Sequence, residues 1–157
     1  MPIAFEPIGV IHSPFTEPKG SPIQPVSANS AAGMVELFPE FAAGLRDLVG
    51  FSHILLIYHF HRSRPHALSV VPFLDTQPRG LFATRAPNRP NPIGISLVRL
   101  ERVDGCRLHV ANIDVLDGTP LLDVKPHVPD FDCAPGARTG WMEAAAAGRT
   151  VADNRFT

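Results

Sequence analysis

Hydrophobic and polar positions divide the chain into short apolar runs separated by turns rich in proline and glycine. The most apolar run, residues 51–61, is aromatic and β-branched and contains no proline or glycine, so it predicts a central strand buried on both faces. Further strands are predicted at residues 5–12, 33–38, 68–74, 93–103 and 106–115. The pair Asp104-Gly105 predicts a type I′ turn between the last two strands.

Helical patterns are short. Residues 39–48 predict one helix, with Pro39 in its first turn and Gly50 at its end, and residues 141–147 predict a second. Because no long helix alternates with the strands, we expect a mainly β fold: a single small β-barrel, antiparallel or mixed, of six to seven strands with one or two short helices, and not a Rossmann fold. Residues 5–142 are expected to form this one domain, and residues 143–157 a C-terminal tail whose last residues fray.

Residues 82–96 contain a proline-rich basic loop between two apolar segments. Three prolines fix their own φ and restrict the residues before them, so the polar side chains of the loop stand on a stiff backbone. These side chains are Arg85, Asn88, Arg89 and Asn91. Donors held in place lose less entropy on binding, which predicts a ligand-facing loop; the alternative is a proline-locked hairpin with its arginines in solvent.

Charge is distributed unevenly along the chain. The formal net charge of −1 excludes a globally basic nucleic-acid-binding protein, but residues 60–90 carry five arginines and one acid, Asp75. Such a local excess suits an anionic partner such as a phosphate backbone. The alternative is a solvated basic surface that serves only solubility.

A second polar stretch, residues 112–126, contains three aspartates around a Gly-Thr-Pro turn. Asp114 and Asp123 fall in otherwise apolar predicted strands, where an unpaired carboxylate is costly. Each therefore requires a cation, several N–H donors or a ligand, and pairing with arginines at the rim of the core is the simplest alternative.

Histidines offer a weaker indication of metal binding. Strand alternation places His53, His59 and His61 on one face, and the last two could share a metal ion in a hydrolase. No HExxH motif or third ligand is apparent, so hydrogen-bonded histidines at a strand end are the preferred interpretation and we expect no metal site.

Two features bear on the cellular compartment. Cys106 and Cys133 are far apart and not in a CxxC motif, which indicates free thiols in a reducing cytoplasm. The N-terminus lacks the pattern of a signal peptide, and no apolar run is long enough to span a membrane.

Several cofactor motifs are absent: the sequence has no GxGxxG after a strand, no GxxxxGK[ST] and no GxSxG. A rigid basic loop and an acidic turn that converge would instead suit a ligand carrying charges of both signs. S-adenosylmethionine, with a sulfonium, an ammonium and a carboxylate, is one such ligand.

The two polar stretches also carry a family resemblance. Residues 85–96 (RAPNRPNPIGIS) and 114–126 (DVLDGTPLLDVKP) closely resemble the two signatures of the TsaA-like (TrmO) family, and residues 51–53 and 21–25 match two weaker ones. The resemblance implies a small β-barrel that forms a homodimer with S-adenosylmethionine near the interface. It also implies methyl transfer to the exocyclic N6 of threonylcarbamoyladenosine, next to the anticodon of tRNA.

Motif matching assigns roles to particular residues. The cofactor residues that it implies are Gln24, Pro25, Val26, His61, Arg62, Arg85, Ile95, Asn112, Ile113, Asp114, Val115, Leu116 and Asp117. His61 and Asp114 are the candidates for a general base, because the acceptor nitrogen is a poor nucleophile. The basic cluster supplies Arg64, Arg79 and Arg89 as candidate contacts to RNA phosphates.

The chain departs from the family pattern in two respects. Val26 stands where the family usually has glycine or a polar residue, and we expect the chain to lack the second, C-terminal domain that is thought to help longer bacterial members hold tRNA. The alternative function is a cofactor-binding regulatory or RNA-binding module without turnover.

Overall fold

The computed structural model describes residues 1–23, 30–144, 152, 153 and 155. Eight strands are present in this part of the chain: β1 (Gly9–His12), β2 (Ala32–Leu37), β3 (His53–His59), β4 (Ser69–Val70), β5 (Arg79–Gly80), β6 (Ile93–Asp104), β7 (Arg107–Ala111) and β8 (Thr119–Pro126). Six of them close into a barrel in the order β1-β2-β7-β6-β3-β8, and β4 pairs with β5 in a separate two-stranded sheet. All pairings are antiparallel, so the predicted small β-barrel is confirmed.

Alternation along the strands fills the barrel. On β3 the side chains of Ile54, Leu56 and Tyr58 are buried and point inward, while Leu55 and Ile57 on the outer face are only half-buried. The prediction that this strand is buried on both faces is therefore only partly right, because no second layer covers this outer face in the described residues. The inward residues of all six strands form one hydrophobic cluster.

Helical segments are shorter and tighter than predicted. The segment predicted as a helix at residues 39–48 consists of two 3-10 helices, Pro39–Leu45 and Leu48–Gly50. The predicted C-terminal helix begins as the 3-10 helix Gly140–Ala144, and its residues 145–147 lie outside the described part. Within the described residues, Pro129–Asp132 is the single α-helical turn.

The β6–β7 hairpin differs from its prediction by one residue. Asp104 pairs with Arg107, so the two central residues of the turn are Gly105 and Cys106. Gly105 has a φ of 59° and Cys106 has no positive φ. A type I′ turn needs positive φ at both positions, so the predicted turn type is wrong although its place is right.

Candidate functional site: a cavity at one end of the barrel

A cavity of about 360 Å³ opens at the barrel end where β3 finishes and β6 and β8 begin. Its walls are mostly apolar, with Tyr58 and Phe60 from the end of β3 and Val115 and Leu116 from the loop before β8. The polar groups His61, Arg85, Asp114 and Thr119 converge on the same space. The two polar stretches singled out in the sequence are therefore brought together here.

Asp114 is the most perturbed acid of the site. β7 ends at Ala111, and Asn112 adopts a left-handed φ of 64° that turns the chain out of the strand, so the prediction of Asp114 within a strand is wrong. Burial raises the pKa of Asp114 to about 7, against the opposing effects of a hydrogen bond from Ser96, its own backbone N–H and the positive charge of Arg85. Near neutral pH this carboxyl group is close to half protonated.

The partner of Asp114 is a serine rather than one of the arginines expected at the core rim. The Ser96 hydroxyl donates a hydrogen bond of 2.5 Å to Asp114 Oδ1. By contrast, Asp123 in β8 forms an ion pair with Lys125, whose Nζ lies 2.9 Å from Asp123 Oδ2. Both acids are satisfied, but only Asp114 belongs to the cavity.

Behind Ser96 lies a buried tyrosine. Tyr58 Oη is 2.9 Å from Ser96 Oγ, and burial, followed by the charge of Asp114, raises the pKa of the phenol well above its usual range. Tyr58 on β3 lies directly opposite Gly94 on the neighbouring strand β6. Gly94 leaves the room that the ring occupies, and Ser96 stands on the same inward face two residues further on.

His61 follows β3 and reaches Thr119 at the start of β8. Its Nδ1 is 3.3 Å from Thr119 Oγ1, while that hydroxyl donates to Leu116 O at 2.7 Å. Because the hydroxyl hydrogen is already used, Nδ1 must be the donor, which leaves Nε2 with a lone pair. Burial, then the charges of Arg62 and His59, lower the pKa of His61, so the ring is neutral at pH 7.

The proline-rich loop is stiffened by its own polar side chains. Arg89 Nη1 donates to Thr84 O at 2.9 Å and to Ala86 O at 3.1 Å. Asn88 Oδ1 accepts a hydrogen bond of 2.8 Å from the backbone N–H of Arg64. Residues 84–89 all line the cavity, so the loop faces it as predicted.

Other members of the basic cluster are engaged within the chain. Arg62 donates to Thr16 O at 2.7 Å and pairs with Glu17. Arg79 makes an ion pair of 2.6 Å with Asp75 and lies over the Trp141 ring. Fewer arginines of the cluster are thus available to bind an anionic partner than the sequence suggests.

The predicted cofactor residues fall into three groups. Those that line the cavity are His61, Arg62, Arg85, Ile95, Asp114, Val115 and Leu116, joined by Arg89 from the predicted RNA contacts. Asn112, Ile113 and Asp117 lie outside its lining, as do Arg64 and Arg79 from the predicted RNA contacts; Ile113 is fully buried in the core, and Asp117 accepts a hydrogen bond from Ser13 N. Gln24, Pro25 and Val26 lie outside the described residues.

Residues near the C-terminus also reach the cavity. Ala152 exchanges two 2.8 Å backbone hydrogen bonds with Gly20 and Ser21, and Arg155 Nη1 donates to Pro72 O and Asp75 O. Ala152 and Asp153 stand in the wall of the cavity. The prediction that the last residues fray is therefore wrong at these positions.

Sequence reasoning missed several residues of the site. Tyr58, Phe60, Phe73, Thr119 and Trp141 line the cavity although no motif drew attention to their roles. Tyr58 carried the best signal, because a phenol on the inward face of a buried strand requires a partner.

The described residues show neither a metal cluster nor a membrane-spanning helix. No group of three or more His, Cys, Asp or Glu side chains there is arranged to hold a metal ion. His59 lies on the outer face of β3, and His61 lies beyond its end. No described helix is long and apolar enough to cross a membrane.

A family comparison agrees with this geometry. Residues 10–133 match the family model described as the tRNA-methyltransferase O N-terminal domain. The chain belongs to the TrmO family. It is 42% identical to TrmO from Pseudomonas aeruginosa, whose crystal structure superposes with a TM-score of 0.76 over 90% of this chain and 63% of that one.

Curated relatives carry two kinds of name. A probable S-adenosyl-L-methionine-binding protein of Pyrococcus abyssi is 56% identical over 90% of this chain and 77% of its own length. The tRNA (adenine(37)-N6)-methyltransferase of Escherichia coli is 39% identical over 91% of this chain and 65% of its own length. The chain thus spans less than two thirds of the Pseudomonas and Escherichia proteins.

Proposed function

We propose that this chain binds S-adenosylmethionine in the barrel-end cavity and uses it to methylate N6 of threonylcarbamoyladenosine next to the anticodon of tRNA. The observation that supports this best is the convergence of Arg85 and Asp114, one from each family signature, on a cavity that His61 also lines. The names of the Pyrococcus and Escherichia relatives support the cofactor and the reaction.

The cavity has the properties that such a ligand requires. Its volume of about 360 Å³ and its mostly apolar wall with few polar groups are typical of small-molecule sites. We assign Asp114 to a cationic group of the cofactor and Arg85 to its carboxylate, because opposite charges attract most strongly in a partly desolvated site. Ile95, Val115 and Leu116 supply apolar contact, and the resemblance adds Gln24 to Val26.

Bound S-adenosylmethionine would supply a methyl group on a positively charged sulfur, a good leaving group. This chain must then align the acceptor nitrogen and remove its proton, because a urea-like nitrogen is a poor nucleophile. Alignment alone can contribute roughly 7–11 kcal/mol in favourable cases. We assign the removal of the acceptor nitrogen's proton to His61 Nε2, which has a lone pair on a neutral ring.

Asp114 remains the alternative base. Its carboxyl group is tied to Ser96 and lies deeper in the wall, which favours a role in binding. His61→Ala and Asp114→Ala variants separate the two roles, since loss of a base lowers turnover at saturating cofactor and loss of a binding group weakens cofactor affinity.

For the RNA, Arg64 is the best supported contact of the three arginines named from sequence. It is exposed, and no hydrogen bond or ion pair of its guanidinium group to any other described residue is found. Arg79 is already paired with Asp75, and Arg89 already donates to carbonyl groups of its own loop. We assign Arg64 to phosphate binding and the other two to holding the loops that surround the cavity.

A second copy of the chain is the proposed partner. Ile93, Ile95 and Leu97 on the outer face of β6 are 43%, 46% and 37% exposed. Leu55 and Ile57 of β3 stand opposite Leu97 and Ile95 in the sheet. Because Ile93 and Ile95 also line the cavity, a copy that covered this apolar strip would lie beside the cofactor.

The test has two stages. Isothermal titration with S-adenosylmethionine measures binding, and transfer of a labelled methyl group to tRNA bearing threonylcarbamoyladenosine measures turnover. We expect binding and transfer by the parent, and loss of transfer by His61→Ala, with His66→Ala as control because His66 is exposed and outside the cavity lining. Absence of binding would overturn the cofactor assignment.

Binding without transfer would favour the alternative, a cofactor-binding module without turnover. One observation favours that alternative: the 56% identical Pyrococcus protein is named only for binding S-adenosyl-L-methionine. Transfer to unmodified adenosine or to no RNA would each contradict the proposed substrate.

A further inference from the structure

A buried chain of two hydrogen bonds leads from β3 through β6 to the cavity. Tyr58 Oη contacts Ser96 Oγ at 2.9 Å, and Ser96 Oγ contacts Asp114 Oδ1 at 2.5 Å. Tyr58 and Ser96 are 5% and 1% exposed, so neither hydroxyl can rely on bulk water. Neither residue belongs to the cofactor or base assignments made above.

The direction of this chain follows from the hydrogens available. Ser96 has one hydroxyl hydrogen, and it goes to Asp114, so Tyr58 must donate to Ser96. A reversed chain would leave the Tyr58 hydrogen without an acceptor, because Ser96 is its one hydrogen-bond partner among the described residues. Oδ1 of the Asp114 carboxylate is therefore the acceptor at the end of this chain.

We propose that Ser96 and Tyr58 are positioning residues that fix the orientation of the Asp114 carboxyl group and favour its ionised form, so that a carboxylate meets the cationic part of the ligand. Hydrogen bonds to a charged acceptor are shorter and stronger than neutral ones, and aligned bonds polarise one another. The chain thus offsets part of the cost of burying a charge.

Other groups acting on Asp114 are few in the described residues. Arg85 on the proline-rich loop contributes a positive charge, Tyr58 on β3 is a titratable group that stays protonated, and Ser96 on β6 does not titrate. The alternative to a positioning role is that Tyr58 and Ser96 merely fill the core. That alternative predicts a loss of stability in their variants without any change in the titration of Asp114.

This inference rests on the proposed function for the identity of the ligand, but its test does not. In ligand-free protein labelled with ¹³C at the aspartate carboxyl carbons, the midpoint of the Asp114 titration can be followed by NMR. Ser96→Ala should move this midpoint upward by about one pH unit, since a bond to the charged form is lost. Tyr58→Phe should move it in the same direction by less.

Two comparisons make the experiment decisive. The double variant should titrate like Ser96→Ala, because Tyr58 acts only through Ser96, whereas independent packing effects would add. Val98→Ala, the next inward position of β6, should lower the melting temperature without moving the midpoint. An unchanged midpoint in folded Ser96→Ala would overturn the inference, and so would a shift of equal size in Val98→Ala.

The consequence for the ligand is measured separately. If the carboxylate binds the cationic group, S-adenosylmethionine affinity should rise with pH through the Asp114 midpoint, and this rise should move upward in Ser96→Ala. A normal NMR response without cofactor binding would refute the proposed function and leave the positioning role intact. Cofactor binding without a shift of the Asp114 midpoint in Ser96→Ala would refute the positioning role and leave the proposed cofactor site intact.

Discussion

The ring of Tyr58 lies against the backbone of Gly94, so closely that a Cβ built on Gly94 would stand 2.2 Å from Tyr58 Cε2. The same Cβ would approach Phe60, which packs edge-on against Tyr58 with ring centroids 5.4 Å apart. Glycine at this position is therefore a requirement of packing rather than of backbone conformation. It allows an aromatic residue of β3 to cross to β6 and place its hydroxyl at Ser96.

Gly94→Ala should lower the free energy of unfolding by about 1–3 kcal/mol, the usual cost of an extra methyl group in a filled core. It should also displace Tyr58 and weaken ligand binding in the cavity. Denaturant unfolding and titration with S-adenosylmethionine measure the two effects. Gly50→Ala is the matched control, since a Cβ there meets nothing within 4 Å.

The stability of the protein should depend on pH through Asp114. Its pKa is about 7 in the folded state and about 4 when unfolded, so the folded state holds a proton that the unfolded state has already released between these values. Stability from this group is fully present below pH ~4 and is lost as the pH rises to ~7, by up to about 4 kcal/mol. Asp114→Asn removes this contribution.

Chemical denaturation of the parent and Asp114→Asn at several pH values tests this expectation. The stability of the variant relative to the parent should increase from pH 4 to pH 8 and then level off. A difference that stays constant with pH would mean that Asp114 titrates normally. The other carboxylates cancel because both proteins share them.

Arg89 and Arg64 should respond oppositely to alanine substitution. Arg89→Ala removes donors from Thr84 O and Ala86 O and should cost about 1.5–3 kcal/mol of stability. Arg64→Ala should change stability by less than about 0.5 kcal/mol. It should instead reduce the log–log salt dependence of tRNA binding by roughly one unit.

Thermal unfolding and tRNA binding at ~50 to 200 mM salt distinguish the two arginines. If Arg64→Ala binds tRNA with the parent's affinity and salt slope, the phosphate assignment is wrong. If Arg89→Ala keeps the parent's stability, the loop does not depend on that side chain.

The apolar strip on β6 should mediate dimer formation. Leu97→Glu places a charge on the strip without altering the cavity lining, and it should convert a dimer of about 34 kDa, twice the 17.0 kDa chain, into a monomer. Light scattering at micromolar concentration reports the mass. Ile3→Glu is the control, because Ile3 is exposed and precedes β1, across the barrel from β6. A parent of 17 kDa would refute the dimer.

The short apolar runs and the absence of a long helix were sufficient to predict the barrel, but residues 53–59 are apolar at inward and outward positions alike, so the sequence did not show which face is buried. The exact turn at Gly105 was missed because pairing register, and not the identity of the turn residues alone, decides which two residues are central. Similarly, Asp114 was placed in a strand because its neighbours are apolar, whereas the left-handed residue Asn112 ends β7.

The charged residues of the site could be predicted from the sequence, but the hydrogen bonds that link its side chains could not. The sequence indicated that Arg89 is available to a ligand, but prolines remove N–H donors from the loop, so the loop carbonyls take their hydrogen bonds from that arginine. The link from Tyr58 to Ser96 depends on the register between two strands that are far apart in sequence. No local pattern contains that information.

Because the barrel is closed, its strands can move far less easily than the segments that connect them. Each of its six strands is paired on both sides, so displacing any one of them would break two rows of backbone hydrogen bonds at once. We therefore expect any rearrangement that accompanies ligand binding in the connecting segments around residues 13–23, 71–75 and 84–92, which contribute to the cavity wall, while the strands keep their places. Amide exchange should reveal this division, with protection that changes on ligand binding in those segments and stays constant around the ring of strands.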